Sequence, residues 1–195
     1  MALLEPGSKR IILASQSPRR IELLKKIVTH FEVEASEIVE DAANFRDGQE
    51  MVIELSRQKA EALARKTVNG LIIGADSVVI IDNKILGKPR TKAECFEMLR
   101  SLSGKTHQVF TGFTLINADE EQFFSGIEKT DVKFRILEDW EIEKYIDTNS
   151  PFDKAGSYGI QDDASVFVES IRGCYYNVMG LPVTRLYLAL KNVIG

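Results

Sequence analysis

The sequence has few of the residues that cross-link, anchor or subdivide a chain. Only two of its 195 residues are cysteines, and the distance between Cys95 and Cys174 fits neither a disulfide framework nor a metal-binding cluster. No apolar run reaches membrane-spanning length, and the first residues contain no hydrophobic segment adequate for a signal peptide. No repeat and no Pro/Gly/Ser-rich linker divides the chain. We therefore expect reduced thiols and a cytoplasmic location, and we predict a single domain over residues 1–195.

The chain also has no excess of basic residues. It has 25 lysines and arginines and 29 acidic residues, which give a net charge of −4 at pH 7. Because nucleic acids and anionic membranes attract basic surfaces, we expect neither as a partner. The two histidines, His30 and His107, have no histidine or cysteine at ligand spacing, and we interpret both as non-metal, non-catalytic residues.

Strand-like and helix-like segments alternate along the chain. Apolar residues at helical spacing and capping signals predict helices at about 18–28, 49–68, 91–103, 139–147 and 182–193. Alternating or continuously apolar residues predict strands at about 11–14, 31–36, 71–81, 84–86, 108–116, 130–137 and 166–171. In the segment 130–137, the alternation places Val132, Phe134 and Ile136 on one face. The mixture predicts an α/β (mixed α+β) fold, with a mixed sheet flanked by helices.

Two arginines stand where a helix start favours acids. In "ILASQSPRR", a short strand is followed by a Ser17-Pro18 helix start, and then by Arg19 and Arg20. The partial positive charge of a helix N-terminus disfavours bases. Either both arginines point into water, or an anion such as phosphate lies here, held also by helix N–H groups and the Ser15 and Ser17 hydroxyls. The glycines of a Walker loop or a dinucleotide fingerprint are absent from this motif.

An aspartate interrupts an otherwise apolar strand. Asp76 lies within "LIIGADSVVII", where it is either a structural residue at a bulge near Gly74 or a carboxylate that binds a divalent cation or activates water. Farther on, "LGKPR" contains Lys88, and the loop "PFDKAGSYGIQ" ends in Gln161. Scattered bases and acids of this kind fit metal-assisted phosphoanhydride hydrolysis, although their spacing does not show that they converge.

Eight motifs together resemble the Maf (septum-formation-inhibitor-like) nucleoside triphosphate pyrophosphatase family. The resemblance extends from residue 10 to about residue 190. The motifs are "LASQSPRR" (13–20), "SEIVE" (36–40), "ELSRQKA" (54–60), "GADSVV" (74–79), "LGKP" (86–89), "SGKTHQVFTG" (103–112), "DKAGSYGIQ" (153–161) and "NVMGLP" (177–182). Their common order makes the resemblance far more specific than any one of them.

The resemblance implies an activity, a cofactor and an architecture. Members of this family hydrolyse nucleoside triphosphates to the monophosphate and pyrophosphate, with Mg²⁺, Mn²⁺ or a similar divalent cation. Their fold is an elongated mixed sheet with helices, in two lobes with an active-site cleft between them, and is often dimeric. We therefore expect a nucleoside triphosphate as substrate and a homodimer as a candidate assembly.

The resemblance also assigns roles to individual residues. Seven residues are expected to bind the substrate. They are Ser15, Ser17, Arg19, Arg20, Lys59, Lys88 and Gln161. Asp76 resembles the essential aspartate, as general base or metal ligand, and Glu40 is the acid that ends the post-strand motif. The expected catalytic group is thus Asp76, Glu40 and Lys88, and the expected metal ligands are Asp76 and Glu40.

The motifs also resemble one branch of the family more than another. "SPRR" and "DKAGxYGIQ" resemble the branch that acts on dTTP, UTP and related pyrimidine nucleotides. The alternatives are a pyrophosphatase for 7-methyl-GTP or another modified nucleotide, and a non-hydrolysing nucleotide-binding regulator of cell division. The chain departs from the branch pattern at Ser77, at Ser150 and at residues 162–165, where "DDAS" replaces the usual glycines. The last change is expected to stiffen the loop that holds Gln161 or to add negative charge beside it.

Overall fold

The computed structural model describes residues 3–5, 7, 9–38, 45, 47–120 and 122–194. Within these residues, seven strands form one mixed sheet. The strands are β1 (Ile11–Leu13), β2 (Glu32–Val33), β3 (Leu71–Ile81), β4 (Lys84–Leu86), β5 (Thr106–Asn117), β6 (Gln122–Phe134) and β7 (Val168–Arg172). The helices are α1 (Pro18–Leu24), α2 (Gly48–Ala64), α3 (Lys92–Leu102), α4 (Asp139–Ile146), α5 (Tyr175–Met179) and α6 (Val183–Ile194). The predicted mixed α/β class is confirmed.

The strands are arranged in the order β2-β1-β3-β5-β6-β7, and β4 pairs with β3. β1 is parallel to both β2 and β3, with Leu13 opposite Val33 on one side and opposite Ile73 on the other. β4 is antiparallel to β3, and β7 is antiparallel to β6. The parallel strands are connected through α1 and α2, as parallel pairing requires a crossover.

The chain divides into two compact units. The first unit contains residues 1–76, 111–128 and 180–195, and the second contains residues 77–110 and 129–179. The division falls within β3, β5 and β6, the three longest strands. The single domain and the cleft between two lobes stay predictions.

In the first unit, α2 lies directly on the sheet because two glycines leave space for it. A Cβ atom on Gly74 of β3 would lie 2.0 Å from the Ser56 carbonyl oxygen of α2. A Cβ atom on Gly112 of β5 would lie 2.4 Å from the Val52 carbonyl oxygen, one turn earlier. Side chains of any size at these two positions would therefore push the helix away from the strands.

In the second unit, an aromatic cluster surrounds His107. Phe134 and Tyr158 contact the imidazole edge to face, and His107 Nε2 shares a 2.7 Å hydrogen bond with the Tyr158 hydroxyl. Burial lowers the pKa of His107 to about 4, so the ring is neutral near pH 7. His107 is thus part of the packed interior of this unit.

The structure corrects the boundaries of several elements. α2 ends at Ala64 rather than near residue 68, and β2 is limited to Glu32–Val33. β6 begins at Gln122, well before the predicted start at residue 130, and ends at Phe134. Because the strand ends there, Ile136 is 79% exposed rather than buried beside Val132 and Phe134, and that prediction was wrong. None of the helices among the described residues is long and apolar enough to cross a membrane.

The contact between Gly74 and α2 leads to a stability prediction. The substitution Gly74→Ala should lower the free energy of unfolding by about 1–3 kcal/mol, because the new methyl group meets backbone rather than a flexible side chain. Urea unfolding of both proteins measures the difference. Gly87→Ala is the matched control, since nothing lies within 4 Å of a Cβ there, and it should change stability by less than about 0.5 kcal/mol. Equal stability of Gly74→Ala and the wild type would contradict this account of the packing.

Candidate active site

The loop between β1 and α1 has the features of an anion-binding turn. Ser17 precedes the helix, Pro18 occupies its first turn, and that turn contains no acidic residue. Ser15 is buried, and its Oγ accepts a hydrogen bond from the Ser17 backbone N–H at 3.3 Å. Within the described residues, the Ser17 side chain makes no capping hydrogen bond to α1. The loop is therefore shaped by Ser15, which turns inward from the end of β1.

Arg20 does not extend into water. Its Nε donates to the Gly180 carbonyl oxygen at 2.9 Å, and its Nη1 donates to Ser15 Oγ at 3.4 Å. Both Arg19 and Arg20 are only partly exposed. The interpretation that both arginines are freely solvated surface residues was therefore wrong, and Arg20 is held over the loop that contains Ser15.

Asp76 lies in regular strand next to this loop. The pairing of β1 with β3 continues past Leu13, since the Ala14 N–H donates to the Ile73 carbonyl oxygen at 2.8 Å. Asp76 follows three residues after Ile73 within the unbroken strand β3, and only 6% of its surface is exposed. Because Asp76 is almost fully buried, its carboxylate needs a partner inside the protein.

That partner is Lys59 of α2. Its Nζ donates to Asp76 Oδ1 at 2.6 Å, and the two side chains are 7% and 9% exposed. Gly74 makes the contact geometrically possible, because it lets the backbone of Ser56 and Ala60, on either side of Lys59, approach β3. Neither charge would be tolerated here alone, since an unpaired buried charge costs several kcal/mol. The ion pair thus orients a carboxylate oxygen at a fixed point of the strand.

The donor set for a metal ion is incomplete within the described residues. No group of three His, Cys, Asp or Glu side chains in this part of the chain is arranged to hold a metal. Asp76 supplies one carboxylate, and Glu40, the other predicted ligand, lies outside the described residues. One or two carboxylates suffice for Mg²⁺ when substrate phosphates and water supply its other ligands. The residues present therefore fit a cation that arrives with a polyphosphate.

The remaining predicted site residues belong to the second unit. Lys88 follows β4, Gln161 lies in the turn after the "DKAG" segment, and both are exposed. The first unit contains six of the predicted residues, Ser15, Ser17, Arg19, Arg20, Lys59 and Asp76, and its contacts join Ser15 with Arg20 and Lys59 with Asp76. The participation of Lys88 and Gln161 in the same site stays a prediction.

The turn that holds Gln161 is closed by its neighbour Asp162. The Asp162 carboxylate accepts hydrogen bonds from the Ser150 hydroxyl at 2.8 Å and from the Tyr145 hydroxyl at 3.1 Å, and its Oδ2 lies 3.4 Å from Lys154 Nζ. Burial and the neighbouring Asp162 charge raise the pKa of Tyr145, which keeps that hydroxyl a donor. Two departures from the branch pattern, Ser150 and Asp162, thus bind each other. These contacts support the expectation of a stiffened loop.

Two contacts of the candidate site were not predicted from the sequence. One is the contact of Lys59, which continues the core-facing series Leu55, Lys59, Leu63 of α2, with Asp76. That position in the apolar stripe is a signal that could have indicated its burial. Gly180, which binds Arg20, carries no comparable local signal. A separate cavity of about 440 Å³ contains none of the predicted site residues and is lined by Glu5, Gly7, Lys9, Arg10, Ile11, Thr29, His30, Phe31 and Glu32.

Comparisons with known proteins identify the family of the chain and proteins that share its fold. The family model described as Maf-like protein matches residues 10–193. A dTTP/UTP pyrophosphatase of Carboxydothermus hydrogenoformans is 50% identical, and the alignment covers 94% of this chain and 98% of that protein. Proteins of the same name from Clostridium perfringens and Desulforamulus reducens are 47% and 45% identical, over 94% and 93% of this chain and 96% and 95% of theirs. The Ham1 protein of Staphylococcus aureus shares the fold at a TM-score of 0.55 and 12% identity, over 95% of this chain and 100% of that one.

The buried ion pair leads to a test by double-mutant cycle. Lys59→Met and Asp76→Asn should each destabilise the protein by about 3–5 kcal/mol, because each removes one charge of the buried ion pair. The double variant should lose much less than the sum, with a coupling free energy of at least about 2 kcal/mol in urea unfolding.

Lys92 and Asp147 form the matched control pair. Their Nζ–Oδ1 distance is 2.7 Å, but the side chains are 65% and 71% exposed. The same cycle there should give a coupling below about 1 kcal/mol. Additive effects at Lys59 and Asp76 would show that the two charges do not depend on each other.

Proposed function

Because the chain belongs to the Maf-like family, we propose that it is a nucleoside triphosphate pyrophosphatase that hydrolyses dTTP and UTP to the monophosphate and pyrophosphate. The names of relatives that are 45–50% identical over most of the chain support this substrate class. The observation that carries the proposal is the buried Lys59–Asp76 pair, placed beside the end of β1, where the "SPRR" loop begins. A carboxylate held at a cationic loop is suited to hydrolysis rather than to phosphate binding alone.

In this proposal the loop after β1 binds the polyphosphate. The Arg19 and Arg20 guanidinium groups and the Ser17 hydroxyl are the donors, and Ser15 holds Arg20 in place. The family resemblance also assigns substrate binding to Lys88, by charge, and to Gln161, by hydrogen bonding. Cations at these positions stabilise the negative charge that develops on the departing pyrophosphate.

Asp76 orients the attacking water and accepts its proton. The water oxygen bonds to the α-phosphorus, the bond from the α-phosphorus to the bridging oxygen breaks, and pyrophosphate leaves with that oxygen. Lys59, which donates to Oδ1, keeps the carboxylate in position for this proton transfer. A divalent cation held by Asp76, with Glu40 as its second ligand, would supply Lewis-acid stabilisation of the phosphates.

Two further expectations belong to the proposal. We propose that the chain acts in the cytoplasm, as its composition leads us to expect, and that it assembles as a homodimer, on the basis of the family resemblance. The proposed role is removal of particular nucleotides from the cellular pool. Light scattering of the purified protein at several concentrations measures the assembly state.

The proposed role of Asp76 predicts a specific loss of activity. Asp76→Asn should lower kcat for dTTP by at least about 100-fold, because the amide neither accepts the water proton nor binds a cation well. Pyrophosphate release is measured below the unfolding transition of the variant, so that the loss is not caused by unfolding. Asp147→Asn, which changes an exposed aspartate, should retain the wild-type rate. A near wild-type kcat for Asp76→Asn would remove Asp76 from the reaction.

A substrate panel separates the proposal from its alternatives. The wild-type protein is given dTTP, UTP, ATP and 7-methyl-GTP, each with Mg²⁺, with Mn²⁺ and with a chelator. The proposal expects cation-dependent pyrophosphate release, with kcat/KM largest for dTTP and UTP. A largest value for 7-methyl-GTP would overturn the base preference, and nucleotide binding without release of pyrophosphate would indicate a regulator instead of an enzyme.

A further inference from the structure

The segment between α5 and α6 reaches into the first unit and holds an unusual backbone conformation. Gly180 has φ of +114°, which L-residues with a side chain rarely adopt. The residue is buried, and the next residue, Leu181, is fully buried, followed by Pro182 at the start of α6. The backbone N–H of Leu186 donates to the Pro182 carbonyl oxygen at 3.0 Å, which ties the segment to the first turn of α6. The peptide group of Gly180 is therefore fixed in direction.

The Gly180 carbonyl oxygen accepts the Nε–H of Arg20 at 2.9 Å, across 160 positions of sequence. Arg20 is therefore held at Nε by Gly180 and at Nη1 by Ser15. Two separate contacts thus define the plane of its guanidinium group. A guanidinium group binds phosphate through parallel N–H donors, so the orientation of its plane decides how well it matches the phosphate oxygens. A flexible arginine would have to be ordered in each catalytic cycle.

We infer that Gly180 is a positioning residue for Arg20, whose carbonyl oxygen fixes the guanidinium plane for the triphosphate. The inference rests on the proposed function, and it assigns to Gly180 no contact with the substrate. This role accounts both for the positive φ of Gly180 and for its hydrogen bond with Arg20. The carbonyl accepts from Nε while the backbone has a positive φ, and only glycine adopts that φ without strain.

The first experiment is a double-mutant cycle on activity. Gly180→Ala should lower kcat/KM for dTTP by about 10- to 100-fold, mainly through kcat, because a misplaced Arg20 loses its alignment in the transition state. In an Arg20→Ala background, the same substitution should change kcat/KM by less than about 2-fold, since the residue through which Gly180 acts is gone. A reduction that persists undiminished without Arg20 would overturn the inference.

Gly70→Ala is the control for backbone strain. Gly70 lies in the same unit with φ of +117°, and an added Cβ would lie 2.7 Å from the Arg10 carbonyl oxygen. This variant should be destabilised in urea unfolding, yet its kcat/KM should stay within about 2-fold of wild type. An equal loss of kcat/KM in both variants would mean that strain, and not the contact with Arg20, explains the effect at Gly180.

A second variant makes the Gly180 carbonyl oxygen a weaker hydrogen-bond acceptor and keeps glycine at this position. It tests the inference even if Gly180→Ala fails to fold. The native Cys174 allows the segment 174–195 to be made synthetically and ligated to the rest of the chain. An α-hydroxy acid in place of Leu181 turns the Gly180 carbonyl from an amide into an ester, which is a poorer acceptor. The inference expects a several-fold lower kcat/KM that disappears in the Arg20→Ala background. An unchanged kcat/KM in the ester protein would overturn it.

These outcomes are distinguishable from failure of the proposed function. If the wild-type protein releases no pyrophosphate from any triphosphate, then the proposed function fails first, and the cycle is measured instead on the Kd of a non-hydrolysable dTTP analogue. If the wild type is active and the effects of Gly180 and Arg20 on kcat/KM multiply independently, then the proposed function stands and the positioning role is wrong.

Discussion

The buried ion pair between Lys59 and Asp76 is the constraint on which the candidate site depends. A lysine and an aspartate, each almost fully buried, stabilise the protein only together, because either charge alone would be costly to bury. The pair therefore requires α2 to lie close to β3, and Gly74 permits that approach. Stability and chemistry are coupled here, since the carboxylate that the lysine orients is also the group that the proposed reaction uses.

The loop after β1 adds the cationic half of the site. Because β1 is parallel to β3 and adjacent to it, the chain leaves β1 next to the strand that carries Asp76. Arg20 donates to two neutral acceptors, Ser15 Oγ and the carbonyl oxygen of Gly180. These two contacts help to fix the geometry of its guanidinium group.

The sequence predicted the features that depend on local pattern. β3 was predicted with its observed bounds, Leu71–Ile81, because its apolar run is long and is followed by a turn at Asp82 and Asn83, both with positive φ. The "SPRR" loop stood out because its charges conflict with the helix dipole. The contact of Lys59 with Asp76 could not be predicted in this way, because a lysine in a helix is usually solvated and its burial depends on tertiary packing at Gly74.

The central claim is tested most directly by a structure of the protein bound to Mg²⁺ and to a non-hydrolysable analogue of dTTP. In this analogue an imido group replaces the oxygen between the α- and β-phosphorus atoms. The account predicts that Arg20 contacts the phosphates and that the α-phosphorus lies next to the carboxylate of Asp76, still paired with Lys59. Phosphates bound instead in the separate cavity lined by Lys9, Arg10 and His30, away from Asp76, would contradict it.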